Sequence, residues 1–155
     1  MNRGDELSAK TMDCPCGKMR IGGGSPAGRR CDPHPANEEY AECCGRYLED
    51  GESAPTAEAL MRSRYTAYVL RREDYLLQTW HPETRPGSLE LADEAGQKWL
   101  GLEIRRHEQR EPDRALVEFV ARYKVAGRAY RLHEVSRFVR DAGRWLYVDG
   151  DIRDG

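Results

Sequence analysis

Four of the five cysteines in this 155-residue chain stand in two tight pairs. Cys14 and Cys16 flank a proline in C-P-C-G, and Cys43 and Cys44 are adjacent in Y-A-E-C-C-G. Zinc takes four soft or borderline ligands in a tetrahedron and stabilises the thiolate form that binds it. Adjacent cysteines do not readily reach the separation and dihedral angle of an unstrained disulfide. The spacing therefore predicts one Zn²⁺ site formed by Cys14, Cys16, Cys43 and Cys44.

The two cysteine pairs are separated by residues 17–42, which are rich in glycine and proline. Closing this loop costs roughly 1 kcal/mol more than closing a compact one, whereas a structural zinc contributes about 10 to 16 kcal/mol of apparent binding free energy. The loop contains Cys31 and His34, a C-x-x-H unit that can replace one ligand or hold a second, partial site. Reduced buried thiols and redox exchange are the alternatives to metal binding. Four thiolates leave no open position for a substrate, so the expected zinc is structural.

The overall composition is that of one globular domain with a short appendage. Hydrophobic residues make up 39% and charged residues 34% of the chain, which is atypical of a disordered protein. The sequence contains no apolar run of about 20 residues and no N-terminal export signal, so we expect a cytoplasmic protein that does not associate with membranes. In that reducing compartment, clustered cysteines more often hold metal than form disulfides. The net charge of −2 argues against nucleic acid as a partner.

Two helices are predicted after the second cysteine pair. Thr56 can cap the first helix, in which apolar residues recur at three- and four-residue steps. The second helix begins at Asp74 and ends at His81-Pro82, because the residue before a proline is disfavoured in the helical region. A further short helix is an interpretation for residues 89–97.

Past Trp99 the hydrophobic period changes to two, beginning with Leu100, Leu102 and Ile104. Strands are predicted at 100–104, 115–123, 130–139 and 145–148, with turns at 111–114, 126–128 and 141–144. Four strands joined by short turns indicate an antiparallel meander with one covered face. Helices followed by such a meander predict an α+β domain.

A pocket between the helices and the sheet is the second place where the sequence predicts binding. The candidate polar lining residues are Tyr65, Tyr68, His81, Glu118, His133 and Glu134. His133 and Glu134 point to opposite faces of an unbroken strand, which argues against an acid–base pair between them. The arginines Arg64, Arg122 and Arg137 are interpreted as members of salt bridges or of a binding surface.

Several motifs in the chain resemble those of known families. C-P-C-G and Y-A-E-C-C-G resemble a split SEC-C motif, the zinc-binding element named after the C-terminus of the SecA translocation ATPase. T-A-E-A-L-M-R-S-R-Y-T-A-Y, Y-L-L-Q-T-W-H-P and G-R-W-L-Y-V-D-G-D resemble the bacterial YchJ family, with a match from about Cys14 to Asp151. The resemblance implies a nuclear transport factor 2-like domain, in which a curved sheet wraps around helices as a cone. It also implies Cys14, Cys16, Cys43 and Cys44 as the metal ligands.

The sequence thus predicts three segments. Residues 1–13 form a flexible N-terminus, residues 14–48 a SEC-C-like zinc knuckle with an inserted loop, and residues 53–152 the nuclear transport factor 2-like domain. The favoured function is a zinc-binding protein in which structural Zn²⁺ shapes a knuckle that binds a protein partner. The alternative is a small-molecule-binding protein or an enzyme that uses the cone pocket, with His81 and His133 as the first residues to test. No catalytic residue and no cofactor besides Zn²⁺ is assigned.

Overall fold

The computed structural model describes residues 14–17, 39–89 and 97–153. Within these residues a 3₁₀ turn, Tyr40–Glu42, precedes three helices and four strands. The helices are α1 (Gly45–Leu48), α2 (Ala57–Val69) and α3 (Glu73–Gln78). The strands are β1 (Gln97–Glu111), β2 (Arg114–Val125), β3 (Arg128–Asp141) and β4 (Arg144–Ile152). The predicted α+β class is confirmed.

Some sequence predictions fall outside the described residues. These are the flexible N-terminus at 1–13, the inserted loop with Cys31 and His34, and most of the short helix at 89–97. At the end of that segment Gln97 already belongs to β1. In the part of the chain that the structure describes, none of the helices is long and apolar enough to cross a membrane.

Helix α2 starts where the sequence predicts. The Thr56 side chain accepts a hydrogen bond from the Ala59 N–H at 3.1 Å, which satisfies one of the donors that a helix start leaves without a partner. Glu58 in the first turn complements the positive end of the helix dipole. The prediction of a capped helix is confirmed.

Helix α3 ends two residues before the predicted stop. The backbone N–H of Tyr147 on β4 donates to Thr79 O, and the N–H of His81 donates to Tyr147 O, each at 2.8 Å. Trp80 between them forms an isolated parallel bridge with Tyr147. The chain leaves the helix because these three residues extend the edge of the sheet.

The sheet is the predicted meander, with strand order β1-β2-β3-β4 and antiparallel neighbours throughout. Two of its hairpins turn through the pairs Ala126-Gly127 and Ala142-Gly143, and all four residues have positive φ. Such two-residue turns match the twist of the flanking strands, and glycine at the second position relieves the strain of that conformation. The predicted turns are therefore confirmed.

Bulges bend this sheet. The pairing of β1 with β2 is shifted at three points, and the pairing of β3 with β4 is shifted at one. Each extra residue bends its strand and increases the local twist. The sheet therefore curves, with its inner face against α2, in agreement with the predicted nuclear transport factor 2-like architecture.

One predicted core position was wrong. Leu102 and Ile104 pack against the core as expected, but Leu100 is 46% exposed. A bulge between Trp99 and Gly101 adds one residue to β1, so that the alternation of faces changes phase there. Trp99 packs inward in place of Leu100.

Helix α2 lies at the centre of the core and contacts α1, α3 and three of the strands. The five consecutive residues from Ser63 to Ala67 are all buried, and five helical positions extend more than once around the helix axis. The predicted apolar face is therefore present, but the opposite side of the helix is covered as well. The inner face of β2 completes the core with Ala115, Val117, Phe119 and Ala121.

Replacing Thr56 by alanine should lower the free energy of unfolding by about 1 kcal/mol, because the Ala59 N–H loses its acceptor. The matched control is Thr56→Ser, which keeps a hydroxyl at the same position. Chemical denaturation of the full chain measures both variants. An equal loss in the serine and alanine variants would contradict the capping role.

Candidate metal centre and adjoining cavity

The four predicted cysteines converge on one point. Their Sγ atoms all lie within 4.8 Å of one another, and each residue is at most 4% exposed. Cys16 Sγ is 3.5 Å from Cys43 Sγ, and Cys43 Sγ is 3.9 Å from Cys44 Sγ. The cluster joins two segments that are distant in sequence.

These distances distinguish metal coordination from disulfide bonding. A disulfide holds its sulfurs about 2.05 Å apart, whereas four sulfurs at about 2.3 Å from one tetrahedral zinc lie about 3.8 Å from each other. All four thiols are free. The donor set and its spacing therefore fit a tetrahedral site for a thiophilic metal ion.

A tight turn presents the first pair of cysteines. The Gly17 N–H donates to Cys14 O at 3.1 Å, and Gly17 has a φ of 71°. Glycine adopts this left-handed conformation without the steric penalty of a side chain. The turn thereby places both Cys14 and Cys16 on the side that faces the second pair.

The start of α1 presents the second pair. The Cys43 N–H donates to Tyr40 O at 3.1 Å, and Cys44 is the N-cap of α1. The two pieces of backbone pack so closely that a Cβ at Gly45 would lie 2.6 Å from Tyr40 O. Glycine at position 45 is therefore required by the packing behind the cysteines.

Helix α2 anchors the N-terminal cysteine turn. Thr66 Oγ1 lies 3.7 Å from Cys14 Sγ, and Arg62 Nη1 donates to Cys16 O at 3.1 Å. Arg62 also forms an ion pair with Glu58 at 3.5 Å, one helical turn away. The thiol cluster is thus part of the domain core and packs directly against α2.

The charges around the thiols also suit a bound cation. Hydrogen bonds with Cys14 and Cys16 raise the pKa values of the Cys43 and Cys44 thiols, so that the four groups do not ionise together by themselves. Four thiolates and one divalent cation carry a net charge of −2. The Arg46 guanidinium borders the same groove as Cys43 and Cys44 and can offset part of that charge, whereas Arg62 in the groove is already paired with Glu58.

A cavity of about 270 Å³ lies between α2 and the inner face of the sheet. Most of its wall is aromatic or aliphatic, and its charged members are Arg64 and Glu134. Its other lining residues are Met61, Tyr65, Tyr68, Trp80, Gln97, Trp99, Phe119, Ala121, Tyr123, Leu132 and Tyr147. Burial raises the pKa of Tyr65 to about 12, so this phenol stays neutral at physiological pH. The predicted lining residues Tyr65, Tyr68 and Glu134 are confirmed.

The other three predicted lining residues were wrong. His133 and Glu118 are on the outer face of the sheet, where His133 Nε2 lies 2.8 Å from Glu118 Oε2 and lowers the pKa of that carboxyl. His133 and Glu134 point to opposite faces of β3, as predicted. His81 does not line the cavity, because its Nδ1 accepts from the Glu83 N–H at 3.2 Å in the turn after α3.

The three arginines singled out in the sequence have different roles. Arg137 forms ion pairs with Asp149 and Asp151 on β4, as predicted. Arg122 is exposed on the outer face of β2. Arg64 is buried in the cavity wall. Its spacing of four residues from both Leu60 and Tyr68 puts it on the same side of α2 as these two residues, which is the one sequence signal for this position.

The fold and the thiol cluster agree with comparisons to known proteins. The family model described as YchJ, middle NTF2-like domain, matches residues 56–150, which is more than half of the sequence. The chain belongs to the YchJ family. The match covers α2, α3 and nearly all of the sheet, so the YchJ core is the domain that holds the cavity.

Relatives in the YchJ family match almost the whole chain. The UPF0225 protein of Polaromonas naphthalenivorans is 54% identical over 91% of this chain and 98% of its own length. The UPF0225 protein RSc0270 of Ralstonia nicotianae is 50% identical over 98% of this chain and 99% of its own length. The similarity therefore extends beyond the domain into the cysteine segments.

Two solved structures share the architecture. The solution structure of a SEC-C motif containing protein from Rhodopseudomonas palustris matches with a TM-score of 0.70 and 32% identity, covering 92% of this chain and all of that one. The crystal structure of a SEC-C motif containing protein from Psychrobacter arcticus matches with a TM-score of 0.70 and 28% identity, covering 96% of this chain and 86% of that one. Both agree with the resemblance of the two cysteine pairs to a SEC-C motif.

Replacing Gly45 by alanine should destabilise the protein by about 1 to 3 kcal/mol, because the new methyl group would overlap Tyr40 O. The control is Gly87→Ala, since a Cβ at position 87 meets nothing within 4 Å. Denaturant titrations give the free energy of unfolding of each variant. Equal stability of the two variants would show that the backbone behind the cysteines is not tightly packed.

Proposed function

We propose that Cys14, Cys16, Cys43 and Cys44 bind one structural Zn²⁺ that holds the N-terminal segment on the domain. The observation that carries this proposal is the gathering of four buried Sγ atoms within 4.8 Å of one another. Soft thiolate ligands in a tetrahedral arrangement select zinc over harder divalent cations such as Mg²⁺ and Ca²⁺. Since all four positions are taken by protein ligands, the ion supplies stability and no site for a substrate.

The energetic role of the ion follows from its position. The cysteines belong to the same core cluster as α2 and the inner face of the sheet. Structural zinc contributes about 10 to 16 kcal/mol of apparent binding free energy, which is as large as the whole stability of a typical domain. Loss of the ion should therefore affect the entire domain and not only the knuckle.

Metal analysis of protein purified without chelator should find one zinc ion per chain. The double variant Cys43→Ser/Cys44→Ser should retain less than a tenth of that zinc and unfold at a lower denaturant concentration, because two of the four ligands are removed. The matched control is Cys31→Ser, which should keep one zinc per chain. Full zinc content in the double variant, or its loss in the Cys31 variant, would contradict the proposed ligand set.

A second proposed role is that the metal centre contributes to binding of another protein. A groove of about 210 Å³ runs beside Cys43 and Cys44, and its walls include Arg46, Tyr47 and Arg62. Arginine and tyrosine are enriched at protein interfaces, where they provide large contact areas and several donors. The groove supports this proposal because it combines such side chains with a backbone that the metal would hold rigid.

Blocking the groove should separate partner binding from metal binding. Ala59 lines the groove on α2, and Ala59→Arg should fill the groove while leaving the zinc content unchanged. A tagged wild-type chain is used to isolate a partner, and the purified partner is then titrated against both proteins. At least a tenfold weaker affinity of the Ala59 variant supports the role. Equal affinities would exclude the groove as the interface.

A further inference from the structure

The cavity holds a buried cation that the zinc proposal does not explain. Arg64 is 3% exposed and lies in the middle of α2. Among the residues that the structure describes, no carboxylate is within ion-pair distance of it. A guanidinium group stays protonated in proteins, and burying such a charge without a counter-ion is costly.

The hydrogen bonds of Arg64 account for only part of its donors. Nη1 donates to Leu76 O and to Thr79 Oγ1, both at 2.7 Å, and thereby ties α2 to the end of α3. These two bonds use both N–H groups of Nη1. For the three N–H groups on Nε and Nη2, the described part of the chain supplies no acceptor. Nε and Nη2 together form one edge of the guanidinium group, and the Arg64 side chain lines the cavity.

Two aromatic rings contact the same guanidinium group. The guanidinium carbon of Arg64 lies 5.0 Å from the ring centroid of Trp80 and 4.6 Å from that of Tyr147. Together with the two hydrogen bonds of Nη1, these cation–π contacts restrict the movement of the guanidinium group. The edge formed by Nε and Nη2 is therefore preorganised, and such an edge fits a carboxylate through two parallel hydrogen bonds.

The rest of the cavity wall limits what the ligand can be. Its ring-lined surface favours a flat, apolar body, and its volume of about 270 Å³ is below the roughly 300 to 1,000 Å³ of pockets for drug-sized molecules. Glu134 is also in the wall, where it accepts hydrogen bonds from Ser136 and, at 3.5 Å, from the hydroxyl of Tyr147. Its negative charge disfavours ligands that carry more than one negative charge.

We propose that this cavity binds a small aromatic monocarboxylate, with the carboxylate on the Nε and Nη2 edge of Arg64 and the ring against Trp99 and Tyr65. The ligand supplies the direct ion pair that the described part of the chain does not give Arg64, on which Glu134 acts only from beyond ion-pair distance. This site is separate from the zinc site, although both use α2. The carboxylate proposal and the zinc proposal can fail separately, because zinc content is measured independently of ligand affinity.

The test compares carboxylates with their uncharged amides. Benzoate, 4-hydroxybenzoate, phenylacetate and cinnamate, and the four corresponding amides, are titrated into the full zinc-loaded chain and followed by NMR chemical shifts. At least one carboxylate should bind about tenfold or more tightly than its own amide, because the amide cannot form the charged bidentate pair. The shifts should concentrate at lining residues such as Ala121 and Leu132.

Variants show whether Arg64 is responsible for this preference. Arg64→Met should reduce the preference of carboxylate over amide to less than about twofold. Arg122→Met is the matched control, since it removes an exposed guanidinium group on the opposite face of the sheet, and it should keep the wild-type preference. Leu132→Trp should weaken carboxylate and amide alike, because it fills the cavity.

A second variant keeps the proposal testable if Arg64→Met does not fold. Glu134→Gln preserves the shape of the wall and removes its negative charge, so the carboxylate should bind about threefold or more tightly while the amide is unchanged. The proposal is overturned if no carboxylate is preferred over its amide. It is also overturned if Arg64→Met keeps the wild-type preference of carboxylate over amide. Where Arg64→Met does not fold, an unchanged preference in Glu134→Gln overturns the proposal.

Discussion

Four sulfur atoms from two distant segments share one buried space against helix α2. The rest of the structure depends on whether these sulfurs are neutral thiols or thiolates neutralised by a cation. As free thiols they are weak hydrogen-bonding groups packed into a core, and they hold the two segments together poorly. With the proposed Zn²⁺ bound, the four thiolates join residues 14–17 to α1 and α2 in one rigid junction. The entropy cost of closing the chain between the two pairs is small beside the binding free energy of the proposed zinc ion.

Helix α2 transmits that junction to the rest of the domain. Each of its buried polar side chains has a partner outside α2. Ser63 bonds to the Tyr75 hydroxyl on α3, Arg64 bonds to the end of α3, and Thr66 contacts Cys14. Buried polar groups with partners fix the orientation of a helix more specifically than apolar contacts do. One turn of α2 thus contacts the thiol cluster through Thr66 and the cavity through Arg64.

The sequence contained enough information to predict most of the architecture. The Ala-Gly turns and the period of two gave the meander, and Thr56 gave the start of α2, because these signals are local. Leu100 was misplaced since a bulge changes which face a residue occupies without leaving a clear pattern in the sequence. The early end of α3 depends on pairing with Tyr147, a residue far along the chain.

The residues of the two candidate sites were not equally predictable from the sequence. Cysteine spacing predicted which four thiols would converge, because the chemistry of zinc restricts the ligands so strongly. The cavity was only partly predicted: Tyr65, Tyr68 and Glu134 line it, whereas His81 and His133 do not. Arg64 was missed as a cavity residue because a charged residue in a helix is ordinarily exposed, and only the packing of α3 and β4 around it shows that it is buried.

The most direct test of the central claim is X-ray absorption spectroscopy at the zinc edge on protein purified without chelator. The account predicts four sulfur neighbours at about 2.3 Å from a single zinc ion. A first shell that contains nitrogen or oxygen ligands would contradict the four-cysteine site. Metal-free protein in which any two of these sulfurs form a disulfide, with a separation of about 2.05 Å, would contradict it as well.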